Sequence, residues 1–134
     1  MTASELRIGN WVKCKTDDGE KFGKICDILD LGYFAARCNG VEYRGKFGNI
    51  GVDIESVEPI ELTDELLEKC GYLKSEDGYF YHKQHCFCDI AQCKDGGYYL
   101  YDGDNCVLSC KINGLHHLQN IVFALNGEEL NIEL

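Results

Sequence analysis

The chain has 134 residues, is 45% apolar, and contains fifteen glycines, one proline and a formal charge of −10. That make-up excludes a disordered chain and suits about one globular domain with a sizeable core. The acidic balance also argues against non-specific nucleic-acid binding, which needs cations to displace phosphate counterions.

The first third reads as a small β unit. LRIGNWVKC opens a first strand, with Ile8 leading in and Trp11 and Val12 inside it. TDDGEK is a hairpin turn built on Asp18-Gly19, and FGKICDILDLG is the return strand. YFAARCNG, VEYRGKFGNIG and VDIESVEPI follow, with Asn39-Gly40 as another turn signal. Five short strands spaced about ten residues apart, rich in glycine, predict a small SH3-like barrel or strongly bent sheet. The spacing of Gly45, Gly48 and Gly51 matches bends better than a phosphate loop, which would need a helix behind it. Residues 1–50 hold eight Lys/Arg against seven Asp/Glu, so Lys13, Lys15, Lys21, Lys24, Arg44 and Lys46 could form one local basic face.

Pro59 and the acidic stretch after it mark a boundary between residues 1–60 and 61–134, two units that can also pack as one compact domain. Residues 51–77 hold nine Asp/Glu against two Lys/Arg. Next comes a short helix with clear punctuation. Thr63 is a natural N-cap, Asp64 and Glu65 suit the first turn, Leu62 and Leu67 hold staple positions, and Gly71 ends it.

DGYFYHK, HCFCDIAQC, GGYYLYD and CVLSCKI read as four antiparallel strands, with turns over 94–97 and 102–105. Asp102 and Asp104 lack the rest of a calcium loop. A final helix spans about Gly114 to Asn126, with Asn113 as N-cap and Gly127 as stop. The fold class is therefore α+β: a bent β unit, a short helix, then an antiparallel meander packed by a C-terminal helix. On 100° steps, Leu115, Leu118, Ile121, Val122 and Leu125 share an arc of about 120°, while Phe123 falls between Gln119 and His116. Two readings follow. Either a second face of the helix is covered, or His116, Gln119 and Phe123 form an exposed patch.

No charged and apolar leader opens the chain, and IVFAL is far too short to span a membrane, so a cytoplasmic, membrane-free protein is expected. Nine cysteines without an export signal read as reduced thiols used as small hydrophobes. His82, His85, Cys86, Cys88 and Cys93 are nevertheless zinc-compatible ligands close in sequence, though no paired C-x-x-C or H-x-x-x-H spacing accompanies them. The competing reading puts Cys86 and Cys88 against the core and the histidines at a hairpin end. A Cys/His nucleophile pair would need a stabilised thiolate and a base in reach, and no local signature marks one.

Tyr72, Tyr79, Phe80, Tyr81, Tyr98, Tyr99 and Tyr101 crowd the second half. Consecutive aromatics on a strand face both ways, so if helices cover one face, tyrosines on the other are exposed. Tyr79, Tyr81, Tyr98 and Tyr99 are the candidate contact residues there, since tyrosine favours binding surfaces.

ELRIGNWV, EPIELTDELLEKCGY and LHHLQNIVFALNGEEL together resemble a family of short proteins from gut Bacteroidetes, their phages and mobile elements. Its members run R-I-G-N-W-V, then P-I-x-L-T-x-x-x-L-x-x-x-G-F, then H-x-L-Q-N-L-Y-F-A-L-T-G-E-E-L. The likeness spans most of the chain in that order; Tyr72 stands where Phe is usual, and spacing puts His116 at the His position. The resemblance implies an accessory role in a mobile element and supplies no catalytic residues. The Cys-rich strands depart from the family pattern, which weakens the zinc reading.

Three functions are therefore carried forward. The first is a non-enzymatic interaction module with a protein partner, a basic one being favoured by the acidic stretch. The second is a zinc-binding domain. The third is a nucleic-acid-associated or DNA-mimicking protein.

Overall fold

Strand β1 (Trp11–Thr16) turns back into the long strand β2 (Gly19–Asp30), with Thr16 opposite Gly19 and the Thr16 hydroxyl donating to the Gly19 carbonyl. The computed structural model in which these strands are seen describes residues 1–17, 19–30, 32–38, 49–86, 88–101 and 107–134. It divides the chain into two compact units, Met1–Ile60 and Glu61–Leu134.

In the first unit β3 (Tyr33–Cys38), β4 (Asn49–Asp53) and β5 (Val57–Glu58) complete an antiparallel sheet ordered β4-β3-β2-β1-β5. The sheet curls into a half-barrel. Two register shifts along β2, at Ile25/Asp27 and Ile28/Asp30, provide extra residues that bend a strand and raise its twist. The concave side holds Val12, Cys14, Ile25, Phe34, Ala36, Val52 and Val57, all buried. Each large apolar side chain so buried stabilises the fold by about 1.5–3 kcal/mol. Gly23 sits against the sulfurs of this core. A Cβ there would lie 2.8 Å from Cys38 Sγ and 2.9 Å from Cys14 Sγ. Ile8 does not lead a strand, because a turn at Gly9 (φ 97°) precedes β1. The Asn39-Gly40 turn, Arg44, Lys46, Gly45 and Gly48 lie outside the described residues.

The second unit begins with α1 (Asp64–Lys69). The Thr63 hydroxyl accepts from the Leu66 amide at 3.1 Å, as an N-cap should. At the other end Gly71 takes φ 93°, its amide bonds Glu68 O, and the Tyr72 amide bonds Leu67 O. Those two bonds are the paired closure of a Schellman C-cap. Lys83 Nζ donates to the Cys70 carbonyl at 2.7 Å, placing a cation at the negative end of the helix.

A five-stranded meander follows: β6 (Leu73–Lys74), β7 (Phe80–His82), β8 (Asp89–Gln92), β9 (Tyr98–Tyr101) and β10 (Val107–Lys111), each paired antiparallel with the next. Four strands are expected from sequence; β6 is the addition, too short to leave a pattern. The strand expected over HCFCDIAQC begins only at Asp89, since a turn closed by the Cys86 amide on Lys83 O, with His85 at φ 61°, comes first. The turn after Cys93 closes through the Gly96 amide to Cys93 O; residues 102–106 lie outside the described residues.

Helix α2 (Leu115–Asn126) is capped by Gly114, at φ 140°, rather than by Asn113. The Asn113 amide instead donates to His117 Nδ1 at 3.0 Å. Gly127 ends the helix in the left-handed region. Among the described residues no helix is long and apolar enough to cross a membrane.

Candidate interaction surface on the second sheet

Register sorts the aromatic residues of the meander between two faces. Tyr81 pairs with Lys74 and Ile90, and Ile90 with Leu100, so these share one face with Tyr98. Leu73, Phe80, His82, Asp89, Ala91, Tyr99 and Tyr101 share the other.

The first face is covered. Tyr81 is 1% exposed and Tyr98 7%. Their rings meet edge to face with centroids 5.8 Å apart. Both hydroxyls donate to Asp64 Oδ1 at the start of α1, the Tyr98 bond measuring 2.9 Å. Lys74 Nζ reaches Asp64 Oδ2 at 2.7 Å and lies over the Tyr81 ring. Lys74, then Tyr81 and Tyr98, hold the Asp64 carboxyl down at about 2. Burial, followed by the Asp64 bond, pushes Tyr98 up to about 12 and Tyr81 up as well. Tyr81 and Tyr98 are therefore core residues that clamp α1 to the sheet, and the expectation that they form an exposed contact face is corrected. The aromatic alternation is right, but which face the helices cover depends on where Asp64 docks.

The second face is partly open: Leu73 and His82 are exposed, Phe80, Asp89, Tyr99 and Tyr101 are half-buried, and Ala91 is buried. Phe80 and Tyr101 stack at 4.8 Å between centroids. His82 and Asp89 stand close on neighbouring strands, and His82 Nδ1 donates to Asp89 Oδ1 at 2.8 Å. Leu73, on edge strand β6, is 73% exposed. These five residues, with Lys74, Ser75 and Tyr81, line an open cleft of about 410 Å³, in which Lys74 is already paired with Asp64. The Tyr99 hydroxyl donates to Asp95 Oδ2 at 2.6 Å, which with the Gly97 amide holds the Asp95 carboxyl below its usual range. Tyr79, at the lip of β7, is exposed.

The α2 patch divides differently from either expectation. His116 and Gln119 are buried, whereas Phe123 is 43% exposed and Leu125 is exposed too. The buried side is Leu115, His116, Leu118, Gln119 and Val122, rotated from the purely apolar stripe. His116 and Gln119 are thus corrected from patch to interior.

The zinc-compatible residues are dispersed in role. His82 is engaged by Asp89. Cys88 is buried, and its carbonyl accepts from the Tyr72 hydroxyl at 2.9 Å. Cys86 is half-buried between the Tyr72 hydroxyl at 3.7 Å and Asn126 Nδ2 at 3.6 Å. Cys93 sits in the β8–β9 turn, and His85 in the turn before β8. Among the described residues, no three or more His, Cys, Asp or Glu side chains gather as a metal would require. The eight described cysteines are free thiols, with Cys14, Cys38, Cys70 and Cys88 buried. Burial pushes the Cys70 thiol up to about 11 and the Cys88 thiol up to about 12, opposite to what a nucleophile needs.

Sequence reasoning missed Asp64 as a hub, Leu73 as an exposed edge residue and the His82–Asp89 pair. The only signal for the last was cross-strand register, which the turn over 83–86 helps to set. No family model, curated protein or solved structure matches this chain.

Proposed function

We propose that the protein is a non-enzymatic interaction module that holds a basic peptide segment on the open face of its second sheet. The observation that carries this reading is the cleft walled by Leu73, Phe80, His82, Asp89 and Tyr101, where apolar and aromatic area is left uncovered beside polar groups. Exposed apolar area with a polar rim is how partner surfaces differ from ordinary protein surface. Strand β6 is an edge of its sheet, so its outer backbone groups can add an extended segment by strand pairing. Residues 61–134 hold thirteen Asp/Glu against five Lys/Arg, so this unit carries −8 of the −10 and steers a basic partner. A cytoplasmic, accessory role in a phage or mobile element, as the family resemblance implies, belongs to the same proposal.

The test is a panel of extended peptides rich in Lys/Arg with one aromatic anchor, measured against the whole protein and Leu73→Asp. Binding that falls about tenfold or more in Leu73→Asp, with the melting temperature unchanged, supports the reading. Equal binding by both proteins, or no binding that outlasts 0.15 M salt, where surface charges are screened beyond about 8 Å, refutes it.

A further inference from the structure

A second, independent feature lies on the convex face of the first sheet. Register sets Trp11 opposite Lys24, and Lys24 opposite Arg37. Alternation puts Lys13 and Lys15 on the same face, and each has a carboxylate: Glu20 at 3.9 Å and Glu58 at 2.7 Å. Lys24 and Arg37 have none within ion-pair distance among the described residues. Like charges directly opposite on neighbouring strands destabilise a sheet. This chain has ten more acids than bases, yet among the described residues no acid pairs with either cation.

The two cations line an open cleft of about 310 Å³ with Ile8, Gly9, Ile25 and Cys26. Three of its other donors are used internally. The Gly9 amide bonds Ile25 O at 2.8 Å, the Ile25 amide bonds Asn10 O at 2.9 Å, and the Cys26 thiol donates to Ala35 O at 3.3 Å. Lys24 Nζ lies 6.0 Å from the Trp11 ring centroid, within reach of its face. What the cleft offers a ligand is therefore one ammonium and one guanidinium side by side.

We propose that the Lys24–Arg37 cleft binds a phosphate group. One dianion neutralises both cations, whereas a carboxylate or chloride leaves one charge uncompensated. The guanidinium adds a planar fork that matches two phosphate oxygens.

The experiment is a titration of the ¹⁵N-labelled full chain with inorganic phosphate at ionic strength held constant with chloride, followed by amide chemical shifts. The expected result is saturable movement of the Gly9, Lys24, Cys26 and Arg37 amides. Binding should weaken about tenfold or more in the Lys24→Gln/Arg37→Gln double variant, and by less in Arg37→Lys, which keeps the charge but loses the fork. Unaltered shifts elsewhere show that the variants remain folded. A phosphoserine peptide run in parallel separates two sources. Tighter binding than inorganic phosphate assigns a phosphorylated protein segment, equal binding assigns free phosphate, and both support the cleft. Linear, non-saturating shifts, an equal response to acetate, or an unchanged response in the double variant overturns the proposal.

Discussion

Replacing Asp64 tests the clamp that separates the two faces of the second sheet. In Asp64→Ala the hydroxyls of Tyr81 and Tyr98 lose their shared acceptor, at 1% and 7% exposure of their residues. A buried donor left unsatisfied costs about 1–3 kcal/mol. Asp64 itself is 42% exposed, so water can reach part of the gap, and we take the lower end for each tyrosine. The Lys74 pair, being near the surface, adds about 0–1 kcal/mol. Losing an acid from the first helical turn costs about 0.3–1 kcal/mol. The expected total is a destabilisation of about 3 kcal/mol. Asp64→Asn keeps an acceptor and loses only charge, so about 1 kcal/mol is expected. The same group has a pH signature. Its carboxyl is held at about 2 against an ordinary 3.8, so its stabilisation is full above about 3.8 and is lost as pH falls toward 2. The unscreened equivalent is about 2.5 kcal/mol, which we reduce to about 1 kcal/mol for the exposure of the carboxylate. Urea unfolding at pH 7 and along a series from pH 5 to about pH 2 reads all three effects. Asp64→Ala within about 0.5 kcal/mol of wild type, or an acid limb unchanged in Asp64→Asn, would refute the clamp.

Gly23→Ala should destabilise the first unit by about 1–3 kcal/mol in the same urea assay, because its Cβ would meet the Cys38 and Cys14 sulfurs at 2.8 and 2.9 Å; a neutral result would mean that the two thiols move aside freely. Thr63→Ala should cost about 1 kcal/mol and Thr63→Ser much less, since only the hydroxyl that accepts from Leu66 matters; equal losses would assign the effect to something else. Treatment with a chelator should leave the melting temperature unchanged, because His82 is engaged by Asp89 and Cys88 is buried; stoichiometric zinc in the purified protein, lost in Cys86→Ser, would contradict this.

Much of the fold is written in local chemistry. Thr63, Asp64 and Gly71 bracket α1 because capping is decided by neighbours three or four residues away. Gly19 and Gly127 mark turns because their backbones take positive φ. The features missed are those set by distant groups. Phe80-Tyr81 and Tyr98-Tyr99 announce two aromatic faces, but only the docking of Asp64 decides that Tyr81 and Tyr98 are inside and Phe80 lines the open cleft. His82 meets Asp89 through a register that the intervening turn helps to set. On α2 a periodicity argument puts apolar residues inward, yet His116 and Gln119 are buried while Leu125 is exposed, because the packing of the helix sets its rotation and hydropathy alone does not. Strand β6, at two residues, is too short for any period to show.

The central claim is that the open face of the second sheet holds a partner. The most direct measurement is affinity capture of the tagged protein from a nuclease-treated lysate of its native host, with mass spectrometry quantifying what wild type retains relative to Leu73→Asp and Tyr101→Ala. A stoichiometric partner with a basic segment, kept by wild type and lost by both folded variants, is the expected result. A partner retained equally by all three proteins would contradict the claim and place the binding surface elsewhere.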